Sequence, residues 1–269
     1  MGIEAITDKV ERLRHVVADM QSVLIAFSGG IDSTLVLKIA HDELGARAVG
    51  VTAVSPTFPA AELDTATRTA QEIGAEHAIV QTDQLTIPAF VQNDAARCFH
   101  CKTDLYQLME RFRAARSMQW VVDGTNLDDL GDDRPGIQAA REWKVRSPLV
   151  EAALTKAEVR AAAHQLGLSS WDKPAAACLS SRIPRGTPIT MEKLRRVEAA
   201  EAVLQKEGFS HFRVRDHGDI ARIEMAPEEF ARLNQPGRRS RVSTSLREIG
   251  FRFVCVDLEG YRLGGISLP

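Results

Sequence analysis

The sequence predicts a parallel, doubly wound α/β sheet followed by a smaller α+β domain. Apolar, β-rich segments alternate with helical patterns through the first two-thirds of the chain, and this alternation is typical of a right-handed parallel sheet. The pattern then changes to a helix, a pair of short strands and further helix. We therefore predict two domains, residues 1–186 and residues 187–269.

In the first domain, hydrophobic periodicity predicts a helix over residues 8–20, which Asp8 could cap, a helix over about 60–73 that Gly74 ends, and a helix around 104–115. Thr155 and Glu158 have the spacing of a capping box, and Gly167 is placed to end the helix that follows. The predicted strands are Ser22–Phe27, Ala48–Val54, His77–Thr82, Trp120–Thr125 and a short one at Val145–Leu149.

The second domain follows a loop rich in Pro, Ser and Gly at residues 168–189. A helix is predicted over Met191–Lys206, and two short strands over Phe212–Met225 surround a His-Gly-Asp turn. Pro227 is placed to open another helix. Arg252–Leu258 is predicted to be the last strand.

Composition limits the classes of function. The 269 residues carry a formal net charge of −2, so no general basic field is present to bind a polynucleotide. No apolar run reaches membrane-spanning length, and no secretory leader is recognisable, so we expect a cytoplasmic protein without a membrane partner. In that compartment the four cysteines favour metal binding or catalysis over disulfides.

A glycine-rich loop, Ser28-Gly29-Gly30-Ile31-Asp32-Ser33, joins the first strand to a helix. Helix N-termini present N–H groups to anions, and the two glycines allow close approach of a phosphate. The loop is neither a Walker loop nor a dinucleotide fingerprint. A simple Gly-Gly turn with a polar cap is the alternative. Because strand ends meet at one edge of a parallel sheet, Ser28, Ser55 and Gly124 are predicted to line one crevice.

Three cysteines are candidates for chemistry. Cys98 and Cys101 form a CxxC pair, which fits half of a zinc site, a redox pair, half of an iron–sulfur site or two incidental thiols. Cys178 lies in a stretch rich in Pro and small residues, which favours an accessible thiol, and Arg182 would favour its thiolate form. Cys255 alternates with valines in the last strand and is predicted to be a core residue.

Charged clusters suggest two further sites. The segment from Asp123 through Asp133 is rich in carboxylates, which are ligands for Mg²⁺, although a solvated acidic loop is an equal alternative. Arg213 and Arg215 alternate along one strand and would share a phosphate, or else pair with carboxylates at the surface. Glu198, Glu201 and Glu224 are either ligands or ordinary surface residues.

The glycine-rich loop resembles the S-G-G-x-D-S loop of the PP-loop ATP pyrophosphatases. Nearly the whole chain resembles one family of that superfamily, the LarE-type ATP-dependent sulfur transferases. The resemblance rests on the segments SGGIDS, RCFHCK, DGTNLDDLGDDRPG, VRSPL, KPAAACLSSRIPRGTPIT and FRVRDHGDIARIE. It implies an adenine nucleotide α-hydrolase-like sheet that uses ATP and Mg²⁺.

The resemblance also implies a reaction. ATP would adenylate a carboxylate of pyridinium-3,5-biscarboxylic acid mononucleotide, releasing pyrophosphate, and sulfur would then displace AMP to give a thiocarboxylate in nickel-pincer nucleotide biosynthesis. The family has two sulfur sources, a cysteine matching Cys178 that gives up its own sulfur, or a sulfide on a [4Fe–4S] cluster. We favour the cluster, with Cys98, Cys101 and Cys178 as ligands, and zinc on the same thiols is a third possibility.

The same matching assigns binding residues. The ATP residues are Ser28, Gly29, Gly30, Asp32, Ser33 and Gly124. The substrate residues are Ser181, Arg182, Arg213, Arg215, Glu201 and Glu224. A homo-oligomer is implied, with a small nucleotide as the substrate. The competing functions are thiolation of tRNA, amide formation by a synthetase, and adenine-nucleotide sensing without catalysis.

Overall fold

The computed structural model describes residues 3–131, 135–173 and 177–261. Its internal contacts divide the chain into two compact units, Met1–Gln84 with Ala96–Ala176, and Leu85–Ala95 with Ala177–Pro269. The division therefore falls after Ala176, whereas the sequence placed it after residue 186. The assignment of functional domains stays a prediction.

The elements are numbered in chain order. The helices are α1 Ile3–Asp19, α2 Ile31–Leu44, α3 Ala60–Ile73, α4 Pro88–Val91, α5 Arg97–Ala115, α6 Pro135–Glu142, α7 Pro148–Glu151, α8 Lys156–Gln165, α9 Met191–Lys206, α10 Pro227–Leu233 and α11 Arg238–Glu248. The strands are β1 Val23–Ala26, β2 Ala48–Val54, β3 Glu76–Gln81, β4 Trp120–Val122, β5 Phe212–His217, β6 Ile220–Met225 and β7 Phe253–Val256.

The sheet of the first unit is parallel, with the strand order β3-β2-β1-β4. Alternate side chains of β1 enter different apolar clusters, because successive residues of a strand point to opposite faces. Val23 packs in the cluster that contains Leu13 of α1, whereas Leu24 packs in the cluster that contains Tyr106 of α5. Helices thus cover both faces, which confirms the doubly wound α/β class.

Several local predictions for this unit are confirmed. Strand β2 and helix α3 have the predicted bounds, and Gly74 ends α3 in the left-handed conformation with φ 80°. Thr155 and Glu158 form the predicted capping box at the start of α8.

Two local predictions were wrong. Residues 145–149 do not form a strand, because only Arg146 bridges to β4 and Pro148, which has no N–H for a ladder, begins α7 instead. Asp8 does not cap α1, because the helix begins at Ile3 and Asp8 lies inside it.

The second unit is built on a small mixed sheet, in which β5 and β6 are antiparallel and β7 is parallel to β6. The predicted helix Met191–Lys206 and the hairpin over Phe212–Met225 are confirmed, and Pro227 lies in the first turn of α10. The prediction for Cys255 was wrong, because this thiol is exposed on β7 at the edge of the sheet.

The part of the chain that the structure describes contains no helix that could span a membrane. None of its helices combines the length and the apolar composition that crossing a bilayer requires.

Candidate active site

The glycine-rich loop forms the turn between β1 and α2. Gly29 has a φ of +69°, and Gly30, at the N-cap of α2, has no side chain to satisfy the first N–H groups of the helix. The Ser33 hydroxyl donates to Gly30 O at 3.1 Å, and Ser28 Oγ accepts from Gly30 N at 3.3 Å. The loop thus has fixed internal geometry, with the N-terminal N–H groups of α2 beside it, which suits an anion.

Gly29 is required by both conformation and space. A Cβ atom at this position would lie 2.8 Å from Cα of Ala66 in α3, a distance that real contacts do not reach. Replacement by alanine therefore meets backbone strain and overpacking together.

A comparison of Gly29→Ala with Gly167→Ala separates these two effects. Gly167 has the same φ of +69°, but a Cβ atom there would meet nothing within 4 Å. We expect Gly29→Ala to lower the free energy of unfolding by about 1–3 kcal/mol more than Gly167→Ala does, as measured by urea denaturation. Equal losses would contradict the close packing of the loop on α3.

The end of β4 lies directly against the start of α2. A Cβ atom on Gly124 would be 2.8 Å from the backbone N of Ser33, so glycine is required here for close packing. The sequence assigned Gly124 to ATP binding. The structure adds that this residue keeps β4 and the loop together at one edge of the sheet.

The neighbouring Asp123 is buried and fully engaged by the protein. Its carboxylate accepts hydrogen bonds from Tyr106 Oη, Thr125 N, Thr125 Oγ1 and Ser147 Oγ at 2.8–3.1 Å. Burial raises the pKa of Tyr106, which therefore stays protonated as a donor. These contacts give Asp123 a structural role, and Asp132 and Asp133 of the acidic segment lie outside the described residues.

Asp32 is held by two residues outside the predicted ATP-binding set. Asn126 Nδ2 donates to one carboxylate oxygen at 3.1 Å, and Lys156 forms an ion pair with the other. The backbone N of Lys156 also donates to Asp128 at 3.0 Å. Because Lys156 follows Asp32 by more than a hundred residues, no local pattern could have indicated the pair.

A second lysine reaches the loop from the other side. Lys173 Nζ lies 3.3 Å from the carbonyl oxygen of Gly29 and 2.7 Å from Glu62 Oε2 in α3. Lys173 opens the KPAAAC stretch, of which residues 174–176 lie outside the described part of the chain. Lys173 itself was not among the predicted binding residues.

The CxxC pair lies in the first two turns of α5. Cys98 and Cys101 are three residues apart on the helix, which places them on one face, and both are partly buried. The buried Arg97 brings a guanidinium nitrogen to 4.0 Å from the sulfur of Cys98.

Metal binding stays a prediction. Within the described residues, no group of three or more His, Cys, Asp or Glu side chains is arranged to hold a metal ion. Cys98 and Cys101 belong to the first unit, and Cys178, also partly buried, belongs to the second.

In the second unit, Arg182 organises the turn that carries Cys178. Its guanidinium pairs with both carboxylate oxygens of Glu201 at 2.9 and 3.0 Å. The remaining nitrogen, Nη1, donates to the carbonyl oxygens of Ala177 and Cys178 at 2.8 and 3.1 Å and to Ser181 Oγ at 2.9 Å. Arg182 is only 4% exposed, so this network is largely shielded from water. Its predicted effect on the thiolate of Cys178 stays a prediction.

Arg215 connects the same turn to β6. It donates to the Ser181 carbonyl at 2.6 Å and to Glu224 at 2.7 Å, and Arg222 donates to the other oxygen of Glu224. Within the described residues, the Nε of Arg215 is buried without a hydrogen-bond partner. The alternative for Arg215 was wrong about exposure, because this residue is 7% exposed, but the pairing with a carboxylate is present in the contact with Glu224.

Arg213 lies on the same face of β5 as Arg215. Burial, and then the positive charge of Arg182, lower the pKa of Arg213. Tyr261 lies against its guanidinium at 5.0 Å. The structure thus brings all six predicted substrate residues into one cluster of the second unit, where guanidinium groups outnumber carboxylates, as an anion site requires.

Comparisons with known proteins agree with this geometry. Residues 4–117, which include the loop, match the family model described as asparagine synthase. The chain is 41% identical over 254 residues, 93% of its length and 90% of the relative's, to the pyridinium-3,5-bisthiocarboxylic acid mononucleotide synthase of Lactiplantibacillus plantarum. The chain belongs to the LarE-type family of PP-loop proteins. As a member of this family it is an ATP-using enzyme.

Two further relatives are similar to this chain over different shares of their own length. An uncharacterised protein of Synechocystis is 45% identical over 259 residues, which cover 96% of this chain and 97% of that protein. The glutamine-hydrolysing GMP synthase of Aeropyrum pernix is 27% identical over 222 residues, which are 76% of this chain but only 43% of that enzyme. The similarity to this synthase therefore covers less than half of that enzyme.

Proposed function

We propose that this protein is an ATP-dependent sulfur insertase acting on pyridinium-3,5-biscarboxylic acid mononucleotide. It adenylates a carboxylate of that nucleotide and converts it to a thiocarboxylate. The observation that carries the proposal is the 41% identity over 93% of the chain to the Lactiplantibacillus synthase. A loop of fixed geometry and a buried arginine cluster support it.

The loop of residues 28–33 is suited to the first half of the reaction. Pyrophosphate gains negative charge as the bond between the α and β phosphates breaks. The N–H groups at the start of α2 can donate hydrogen bonds to that charge. They need no reorganisation, because the hydroxyls of Ser28 and Ser33 form hydrogen bonds that hold the loop in place. AMP is then a far better leaving group than oxide for the second half of the reaction.

The arginine cluster is suited to the phosphate of the substrate nucleotide. In the described part of the chain the Nε of Arg215 has no hydrogen-bond partner, and burial and the charge of Arg182 lower the pKa of Arg213. A bound oxyanion would accept a hydrogen bond from the first group and offset the positive charge around the second. Ser181 and Arg182 belong to the same network and adjoin Cys178 along the chain. This arrangement supports a substrate whose carboxylate reacts near the turn of residues 178–182.

The sulfur source in this proposal is Cys178, alone or with Cys98 and Cys101. Two thiols on one face of α5, with Arg97 in contact with Cys98, fit part of a thiolate ligand set. A [4Fe–4S] cluster held by three thiolates would supply one iron without a protein ligand, where an extra sulfide can be carried. Iron and sulfide counting after anaerobic reconstitution tests this assignment, and zinc on the same thiols is the competing result.

Replacing Arg213 by methionine is expected to weaken binding of the biscarboxylated nucleotide about tenfold or more while leaving ATP affinity unchanged. Calorimetric titration of the two ligands measures the difference.

The matched control is Arg252→Met, which removes another guanidinium that lies over an aromatic ring, at 5.3 Å from Phe253. This variant should bind both ligands normally. Equal weakening of ATP and substrate by Arg213→Met would refute the placement of the substrate phosphate.

The proposal is tested by asking what triggers pyrophosphate release. Purified protein is incubated with ATP and Mg²⁺, with and without pyridinium-3,5-biscarboxylic acid mononucleotide. We expect pyrophosphate release that depends on the nucleotide. Release that depends on tRNA instead, or no release, would contradict the proposal.

A further inference from the structure

We propose that Lys173 binds the β- and γ-phosphates of ATP and the pyrophosphate that leaves. This inference rests on the proposed function, in which ATP is cleaved at the loop of residues 28–33. The geometric basis is the position of Lys173 Nζ, 3.3 Å from the carbonyl oxygen of Gly29 within that loop.

The loop itself supplies no positive charge. Its one ionisable residue is Asp32, whose carboxylate is engaged by Asn126 and Lys156. A polyphosphate placed over the N-terminus of α2 would receive N–H groups and hydroxyls but no cation from residues 28–33. In Walker-type loops a lysine of the motif fills that role. Here Lys173 brings an ammonium group to the glycine end of the loop from a distant part of the sequence.

Lys173 is also free to change partners. Its ion pair with Glu62 is partly exposed, with 19% of the lysine side chain and 24% of the glutamate side chain accessible, and such pairs are weak. Its hydrogen bond to Gly29 is long. A lysine ammonium on a flexible stem can turn from these partners to a phosphate that carries more charge.

The simpler interpretation is that the Lys173–Glu62 pair only ties residue 173 to α3. The two interpretations differ in which ligand they affect. A purely structural tie would change the affinities for AMP and ATP alike, because both need the same fold. A phosphate ligand would affect only molecules with β- and γ-phosphates, since AMP lacks them.

The experiment titrates AMP, ATP and inorganic pyrophosphate, each with Mg²⁺, into the full chain and its variants by calorimetry. Lys173→Met should lower the affinity for ATP and pyrophosphate about tenfold or more, because charge-assisted hydrogen bonds are lost, and leave AMP affinity unchanged. Lys38→Met is the matched control, because it removes an equally short and partly exposed pair with Asp42 at 2.7 Å. This control should bind all three ligands normally.

Lys173→Met also leaves Glu62 unpaired near the phosphates, so a double variant, Lys173→Met with Glu62→Gln, removes that repulsion. ATP affinity that stays low in the double variant supports direct binding by the lysine. Recovery of ATP affinity, or equal losses for AMP and ATP in the single variant, would overturn the inference. Failure of the wild-type protein to bind ATP or pyrophosphate would instead contradict the proposed function.

Discussion

Replacing Cys178 by serine is expected to abolish thiocarboxylate formation, with a fall in product of more than about 10³-fold, as when a nucleophile is removed. Both candidate sulfur sources need this thiol, because serine has no sulfur to give and its hydroxyl is a poor ligand for iron. Adenylation should persist for a first turnover, since the N–H groups at the loop of residues 28–33, and not the thiol, are proposed to stabilise the leaving pyrophosphate. Mass spectrometry of the nucleotide and a pyrophosphate assay measure the two steps separately.

Further cysteine variants distinguish the two sulfur sources. With Cys98 and Cys101 both replaced by serine, a sacrificial Cys178 would still transfer one sulfur per chain, whereas a cluster enzyme would transfer none. Cys255→Ser is the control, because this thiol is exposed on the edge strand β7 and should not matter. Normal thiocarboxylate yield from Cys178→Ser would exclude the cysteine from the reaction.

Arg182→Met is expected to lower the free energy of unfolding by about 3–5 kcal/mol, because it leaves the carboxylate of Glu201 largely buried without its partner. It also frees the carbonyl oxygens of residues 177 and 178, so the turn that carries Cys178 should lose its geometry. Urea denaturation measures the first effect, and the yield of thiocarboxylate measures the second.

The control for this prediction is Arg241→Met. Arg241 pairs with Glu207 through the same two-pronged geometry, with both bonds at 2.8 Å, but at the solvent-exposed surface. We expect Arg241→Met to leave the free energy of unfolding unchanged within measurement error. A variant that replaces both Arg182 and Glu201 with methionine should regain stability but not activity. Equal destabilisation by Arg182→Met and Arg241→Met would contradict the buried network.

Local chemistry explains why much of the fold was predictable. Helix α3 begins after Pro59 and ends at Gly74, and α9 begins after the N-cap Thr190, so residues near each end specify the bounds. Helix α11 was not predicted as a separate element, because it is strongly polar and buries only Val242 and Leu246. Its position depends on packing with other elements, which no local pattern encodes.

In the candidate site, too, local motifs were predictable from the sequence and long-range contacts were not. The loop and the arginine pair could be selected because each is a compact motif in the sequence. The contacts of Lys156 and Lys173 with the loop could not be selected, because each joins residues more than a hundred positions apart. Cys255 was misassigned because alternation in a strand does not tell which face is buried: Val254 and Val256 pack against the core of the second unit, and Cys255 lies on the opposite, exposed face.

The most direct test of the account is the mass of the nucleotide recovered after incubation with ATP, Mg²⁺ and pyridinium-3,5-biscarboxylic acid mononucleotide. We expect a product in which one oxygen atom has been replaced by sulfur, formed together with AMP and pyrophosphate. A product in which the carboxylate has become an amide, or a nucleotide recovered unchanged although ATP is consumed, would contradict it.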